Sequence, residues 1–318
     1  MNYLITGSAG FIGFHTARKL LEQKHVVIGI DNLNKYYNPK LKDSRNDILK
    51  KYKNYKFYKI NINNKNQLNK VFFKEKIDIV IHLAAQAGVR YSIENPETYI
   101  KTNLVGFFNI LRNCSQHRIK KFIFASSSSI YGSNKSRQYK ENLKTDNPLQ
   151  LYAATKKSNE LMAYSYSCLF NLKCIGLRFF TVYGPWGRPD MSLFRFVESI
   201  LKNKFIEIYN KGNHYRDFTY IDDCISGILK ITNIKMKRNF EVFNIASGKP
   251  IKLLKFIEII EKKLGINAKK KYLGLQKGDS IGTFASIKKI STLTKYKPMV
   301  SIEEGISIFV NWYKSFYK

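Results

Sequence analysis

Tyr3-Leu4-Ile5-Thr6 runs straight into Gly7-Ser8-Ala9-Gly10-Phe11-Ile12-Gly13, and the reading of this junction decides the fold. An apolar, β-branched run, then a glycine-rich turn, then an amphipathic stretch reads as strand, tight turn and helix. The first glycine permits the turn, the second lets the backbone approach a diphosphate, and the third lets the helix pack on the strand. Free N–H groups at the start of that helix, predicted over Phe11–Gln23, then face the phosphates. The next predicted strand is followed by Asp31, 18 residues beyond Gly13. A carboxylate there can accept hydrogen bonds from an adenosine ribose and repels a 2′-phosphate, which favours NAD over NADP.

Outward from this junction, short β-branched runs alternate with longer amphipathic ones. Strands are predicted at Tyr3–Thr6, Val26–Ile30, Lys56–Ile60, Ile77–His82, Lys121–Ala125 and Lys173–Leu177. Helices are predicted at Phe11–Gln23, Pro39–Lys51, Asn66–Lys74, Pro96–Gln116 and Tyr152–Phe170. This rhythm implies an α/β fold, a Rossmann-type doubly wound parallel sheet. Residues 1–178 are read as its NAD-binding domain. After Arg178 the chain becomes turn-rich, with helices predicted near Ser192–Lys202, Ile221–Thr232, Leu253–Leu264 and Ile302–Phe316. Residues 179–318 are read mainly as a smaller C-terminal substrate-binding lobe, some segments of which return to the first domain.

With 44% apolar residues in 318, the chain can bury a large core, and no apolar run is long enough to span a membrane. The start lacks a signal-peptide layout, so a cytoplasmic location is expected. Cys114, Cys168, Cys174 and Cys224 show no Cys-x-x-Cys pair and no zinc-finger spacing. They are read as buried free thiols, with no metal site. The formal charge of +32 is spread along the chain and accompanies no nucleic-acid-binding signature, so no nucleic-acid partner is expected. The densest cluster, Lys269-Lys270-Lys271, is read as a solvated helix end.

Tyr152 and Lys156 lie four residues apart in one predicted helix and therefore share a face. A free phenol, with a pKa near ~10, is a weak base at neutral pH. A nearby ammonium and a positive nicotinamide ring would favour the phenolate, which could take a proton from a sugar hydroxyl as hydride leaves the same carbon. Upstream, Ser126-Ser127-Ser128-Ser129 ends the fifth strand, where hydroxyls can share a hydrogen bond with the reacting oxygen.

With these residues in place, the chain resembles the extended short-chain dehydrogenases/reductases, within the NAD-dependent sugar-nucleotide epimerase and dehydratase family. HLAAQAGVRYS (His82–Ser92), ASSSSIYG (Ala125–Gly132), LYAATKKSNELMA (Leu151–Ala163), LRFFTVYGPWGRPDM (Leu177–Met191) and YRDFTYIDD (Tyr215–Asp223) are similar to the UDP-glucuronate 4-epimerase branch in particular. The resemblance implies that Tyr152 deprotonates the sugar 4-hydroxyl while tightly bound NAD⁺ accepts the C4 hydride. A 4-keto intermediate then turns and is reduced on its other face. It implies that Ser127 partners Tyr152 and that Lys156 assists it. It also implies that Gly7, Gly10, Phe11, Ile12, Gly13, Asp31, Asn32, Ile62, Leu83, Ala84, Ala85, Asn103 and Lys156 form or support the cofactor site.

For the substrate, Arg188 is read as the grip on the C6 carboxylate, because a guanidinium can make two parallel hydrogen bonds to it. Arg216 matches an arginine that meets the diphosphate, and Thr181 a contact to sugar or nucleotide. Ser128, Arg90 and Asp279 complete the expected substrate set. The chain departs from the family pattern in Asn61-Ile62, where Asp-Ile is usual, at Lys277, where proline is common, and at Ser286, where aspartate is frequent. Dehydratases carry Asp-Glu, and UDP-glucuronate decarboxylases typically a glutamate, in the segment that here reads Ser128-Ser129, which favours epimerisation. Alternatives are a 4-epimerase of UDP-glucose or of a UDP-N-acetylhexosamine or its uronate, or a catalytically silent sugar-nucleotide-binding protein. The family also implies a homodimer through Pro96–Gln116 and Tyr152–Phe170, and a product destined for capsule or other surface polysaccharide.

Overall fold

The computed structural model of the chain describes residues 1–134, 136, 138–275 and 282–317. Strands and helices alternate through the first half: β1 (Asn2–Thr6), α1 (Phe11–Glu22), β2 (Val26–Asp31), α2 (Lys40–Lys50), β3 (Tyr55–Lys59), α3 (Lys65–Lys74) and β4 (Ile79–His82). Then come the short α4 (Tyr91–Glu94) and α5 (Pro96–Tyr99), followed by α6 (Phe107–Gln116), β5 (Lys121–Ser127), α7 (Leu151–Leu169) and β6 (Cys174–Phe179). The second half carries β7 (Thr181–Tyr183), α8 (Ser192–Leu201), β8 (Phe205–Ile208), β9 (Tyr215–Tyr220), α9 (Ile221–Thr232) and β10 (Phe240–Ile245). It closes with β11 (Pro250–Lys252), α10 (Leu253–Leu264), β12 (Lys269–Tyr272), α11 (Lys288–Thr294) and α12 (Ile302–Phe316).

Among the described residues, seven strands pair in the order β10-β6-β5-β4-β1-β2-β3. Every pairing in this sheet is parallel. Side chains alternate between its two faces: Leu4, Phe122 and Phe124 enter one core, while Ile5, Ile123 and Leu177 enter the other. Both faces are covered by helices, so β4 and β6 are buried at every position and are mainly apolar, apart from His82 and Arg178. The strand order reverses between β1 and β4, and the ligand crevice of such sheets opens there, at the carboxyl ends. Thr6 pairs with His82 at that point, so Gly7 and Leu83 leave the sheet side by side.

Three local expectations are corrected. The seventh strand, β10, comes from the second half and adds to β6, Phe240 opposite Cys174. Its mixed Phe-Glu-Val-Phe-Asn-Ile pattern has no strong period of its own, and only pairing to β6 makes it a strand. The long helix expected over Pro96–Gln116 is interrupted by a π-helical stretch, Ile100–Gly106. Lys269-Lys270-Lys271 is no helix end but belongs to β12, parallel to β8, with Lys270 paired to Glu261.

Of the thiols, Cys114, Cys174 and Cys224 are buried and Cys168 is exposed. A second sheet, β11-β9-β7, carries the outer wall of the crevice. No helix among the described residues is long and apolar enough to cross a membrane, and none of their His, Cys, Asp and Glu side chains group in threes that could hold a metal ion.

Candidate active site

The glycine spacing of the first turn is a matter of contact distances. Gly7 has φ +72°, and a Cβ on it would lie 2.8 Å from the Ala84 nitrogen. A Cβ on Gly13 would lie 2.0 Å from the Gly7 carbonyl oxygen, and one on Gly10 2.9 Å from the same atom. The turn therefore packs against α1 and the β4 loop with no room for side chains. α1 starts at Phe11 without a side-chain cap, which leaves its first N–H groups free for an anion.

At the end of β2, Asp31 accepts hydrogen bonds from the Ala9 N–H (3.1 Å) and the Leu33 N–H (2.8 Å). Burial raises its pKa, while these donors and the charges of Lys42 and Arg45 favour the carboxylate. Asn32, Ile62, Leu83, Ala84 and Ala85 line the same cleft. A turn stripped of side chains at Gly7, Gly10 and Gly13, an uncapped helix start and a buried acceptor at the strand end fit an NAD-type dinucleotide.

This cleft, of about 980 Å³, continues to Ser127, Ser128, Tyr152, Lys156, Thr181, Arg188 and Arg216. Lys156 is buried one turn after Tyr152, its Nζ donates to the Ala125 carbonyl (2.8 Å), and it lies 6.0 Å from the centroid of the phenol ring. Burial pulls its pKa down to about 7. The Tyr152 phenol is shifted upward: burial raises its pKa, against a hydrogen bond with Ser127 and the charge of Arg188. In the chain alone, therefore, Ser127 and Arg188 are the groups that favour the phenolate, and they do not overcome burial. The Ser127 hydroxyl also accepts from the Ser129 N–H (3.1 Å).

Asn103 is placed behind the cleft wall. Its amide donates to the Gln86 carbonyl (3.0 Å) and Thr155 hydroxyl (3.1 Å) and accepts from the Gln86 N–H (2.8 Å). The π-helical stretch that carries it is a device frequent at functional sites. Asn103 thus ties the β4 loop to α7 without reaching the cleft itself.

On the substrate side, Arg188 does not present a free fork. Its Nε and Nη2 both donate to the Asp190 carboxylate, which also accepts from the Tyr36 hydroxyl (3.3 Å). Arg90 lies over the Tyr209 ring (4.5 Å), and Arg216 donates to the Tyr215 carbonyl (3.0 Å). The strand bearing Arg216 is fixed by buried Asp217, which accepts from the Ser247 N–H (2.9 Å) and hydroxyl (2.7 Å), the Gly248 N–H (3.1 Å) and the Ala285 N–H (3.2 Å). Asp279 and Lys277 lie outside the described residues.

The profile of the NAD dependent epimerase/dehydratase family matches residues 3–246. The chain belongs to this family. Protein CapI of Staphylococcus aureus is 48% identical over 335 residues, covering 100% of both chains. A UDP-glucuronate 4-epimerase of Thermodesulfobacterium geofontis is 46% identical over 313 residues, covering 98% of this chain and 96% of its own. The crystal structure of UDP-glucuronic acid 4-epimerase from Bacillus cereus, in complex with UDP-glucuronic acid and NAD, is similar over 100% of both chains, with a TM-score of 0.95 and 36% identity.

Against this epimerase/dehydratase background, sequence reasoning missed Tyr36, Lys42, Arg45 and Asp190. Lys42 Nζ donates to the Asn34 carbonyl (2.7 Å) beside Asp31, and burial lowers its pKa to about 8. The only signal was their place between β2 and α2, on α2, or two residues from Arg188, which says nothing about direction.

Proposed function

We propose that the protein is an NAD-dependent UDP-glucuronate 4-epimerase that interconverts UDP-glucuronate and UDP-galacturonate. Residues 1–178, with β10, hold the cofactor, and residues 179–318 mainly the sugar nucleotide. The observation that carries this reading is a Tyr152–Lys156 pair in a dinucleotide cleft whose neighbouring strand end offers only hydroxyls. Dehydration needs a carboxylic acid and a carboxylate beside the sugar. Ser127, Ser128 and Ser129 stand there instead, and Asp190 is engaged by Arg188.

Bound in the cradle, NAD supplies the acceptor and then the donor of the C4 hydride. Tyr152 takes the proton of the 4-hydroxyl as the C4–H bond breaks with its electron pair, and gives it back when the ketone is reduced. Ser127 holds the reacting oxygen and the phenol in one hydrogen-bonded pair. Lys156, one helical turn on, contributes charge while it is protonated. The 4-keto uronate is a β-keto acid, so its carboxylate must stay ionised and hydrogen-bonded to keep carbon dioxide from leaving. Ser128 and Arg188 are the groups assigned to it, with Arg216, Thr181 and Arg90 along the nucleotide.

Because Asp190 already pairs Arg188, a neutral hexose would not leave that guanidinium unpaired, and the assay must include one. Purified protein given UDP-glucuronate, UDP-glucose or UDP-N-acetylglucosamine, with no NAD added, is expected to invert C4 of UDP-glucuronate alone, as read by NMR. Inversion of UDP-glucose at an equal or higher rate would contradict the assignment. Arg188→Ala is expected to raise KM for UDP-glucuronate by ~10–100-fold, the worth of a charge-assisted pair, and to leave UDP-glucose binding nearly unchanged. Equal losses for both sugars would remove Arg188 from the carboxylate.

A second copy of the chain is the proposed partner. Phe108, Tyr166 and Phe170 form a chain of ring contacts (6.1 and 4.9 Å) on α6 and at the end of α7, with Phe170 and Leu169 exposed. Covering this surface in a homodimer predicts elution from gel filtration at twice the 37.1 kDa of one chain. Three buried free thiols fit a reducing, cytoplasmic setting. Capsule or another surface polysaccharide is the proposed destination of the product.

A further inference from the structure

Arg45, on α2, is fully buried, and no ion pair holds it among the described residues. Its Nη1 donates to the Ala9 carbonyl (2.9 Å) and to the Tyr37 hydroxyl (2.8 Å). Its Nη2 donates to the carbonyls of Trp186 (2.6 Å) and Gly187 (3.2 Å). Its Nε–H faces no acceptor among the described residues. Every acceptor is neutral, so the positive charge is solvated by the protein but not cancelled by contact.

The two ends of this guanidinium belong to different parts of the site. Ala9 is inside the Gly7–Gly13 turn, and its own N–H donates to Asp31 (3.1 Å). Trp186 and Gly187 belong to the loop that carries Arg188 and Asp190. Trp186 holds a φ of +61°, a left-handed conformation that a bulky side chain rarely adopts without support. Its ring is boxed by Phe14 (5.6 Å), Trp312 (5.4 Å) and Phe316 (4.9 Å), and Arg45 grips its carbonyl. Tyr37, the fourth acceptor, adjoins Tyr36, whose hydroxyl reaches Asp190 (3.3 Å). One buried side chain thus touches the cofactor turn, the loop between β2 and α2, and the loop that carries Arg188.

We infer that Arg45 is a positioning residue that locks the Arg188–Asp190 loop to the dinucleotide turn, and that its charge behind that turn, which no carboxylate touches and which reaches Asp31 only through space, strengthens the hold on the cofactor's diphosphate. This rests on the reading of the turn as the cofactor cradle. The fork and the charge are separable by substitution. Lysine keeps the charge but a single ammonium cannot span acceptors on both segments. Methionine removes both.

The test uses purified full-length protein, with bound NAD released by denaturation and quantified, and KM and kcat measured for UDP-glucuronate with saturating NAD. Arg45→Met is expected to retain at least ~10-fold less NAD than wild type and to raise KM by ~10-fold. Arg45→Lys is expected to keep NAD near the wild-type level, raise KM by a similar factor, and leave kcat within ~3-fold. Should Arg45→Met fail to fold, Arg45→Lys decides alone: NAD retained with KM raised supports the inference, and any other pattern overturns it. Wild-type NAD content and KM in both variants, or equal NAD loss in both, also overturn it. A wild-type protein that neither holds NAD nor acts on UDP-glucuronate sinks the underlying functional reading, whereas intact wild-type behaviour with silent variants sinks this inference alone.

Discussion

Tyr152→Phe is expected to lower kcat by ~10²–10⁴, the usual worth of a positioned acid–base group, while NAD content and KM stay close to wild type. The substitution removes one oxygen from a ring held in place by its neighbours. Tyr99 packs edge-on against that ring (6.1 Å), and Lys156 keeps its bond to the Ala125 carbonyl (2.8 Å) whether or not the hydroxyl is there. The loss therefore falls on proton transfer. Burial raises the phenol pKa, opposed by Ser127 and Arg188, so the base is the scarcer form at low pH. Activity of the wild type should consequently rise with pH through the range where the phenol ionises, and a pH profile of Tyr152→Phe should lack that limb. A variant that turned over at the wild-type rate would remove Tyr152 from the chemistry.

Glu160→Ala should cost about 3–5 kcal/mol of stability, because it leaves a buried cation without its partner. Arg178 donates to the Glu160 carboxylate through both Nε (3.0 Å) and Nη2 (2.8 Å), and both side chains are almost fully buried, 5% and 6% exposed. The Ser126 hydroxyl donates to the same carboxylate (2.6 Å), and Arg178 Nη1 donates to Tyr131 (3.1 Å) and to the Glu141 carbonyl (3.0 Å). The pair joins α7 to β6 one turn beyond Lys156, so it also fixes the height of the Tyr152–Lys156 helix above the sheet. Urea titration measures the loss. The double replacement Glu160→Leu with Arg178→Met removes both charges and should recover most of it, which separates the orphaned cation from mere loss of packing.

The same network shows where sequence reasoning stops. The glycine turn, Asp31 and the alternation of strands and helices were legible because each is dictated by local sterics or by a short period. Tyr152 and Lys156 were legible as neighbours because a four-residue step on a helix fixes their shared face. Direction and burial were not. Arg188 and Asp190 are two residues apart in sequence, yet whether the guanidinium faces the cleft or its neighbour depends on a loop held by Arg45 from another helix. Arg45 itself, in a helix of lysines and aspartates, reads as a solvated residue and is in fact wholly enclosed. β10 was missed because its partner, β6, lies far away in the chain, and the π-helical stretch because its residues hold no proline and its one glycine, Gly106, comes at its end where the helix continues. The balance on the phenol was not legible either, because a sequence shows an ammonium nearby but not the desolvation that, in the chain alone, outweighs Ser127 and Arg188.

Tyr152 can return a proton to the C4 oxygen, but nothing in the account lets solvent reach C4 itself. UDP-glucuronate carrying deuterium at C4 tests that claim most directly, with the protein incubated in ordinary water and the UDP-galacturonate examined by NMR and mass spectrometry. The deuterium is expected to remain at C4 in the inverted product, since it leaves and returns as hydride, which does not exchange with water. Product with protium at C4 would mean that the carbon exchanged with water, and would contradict it.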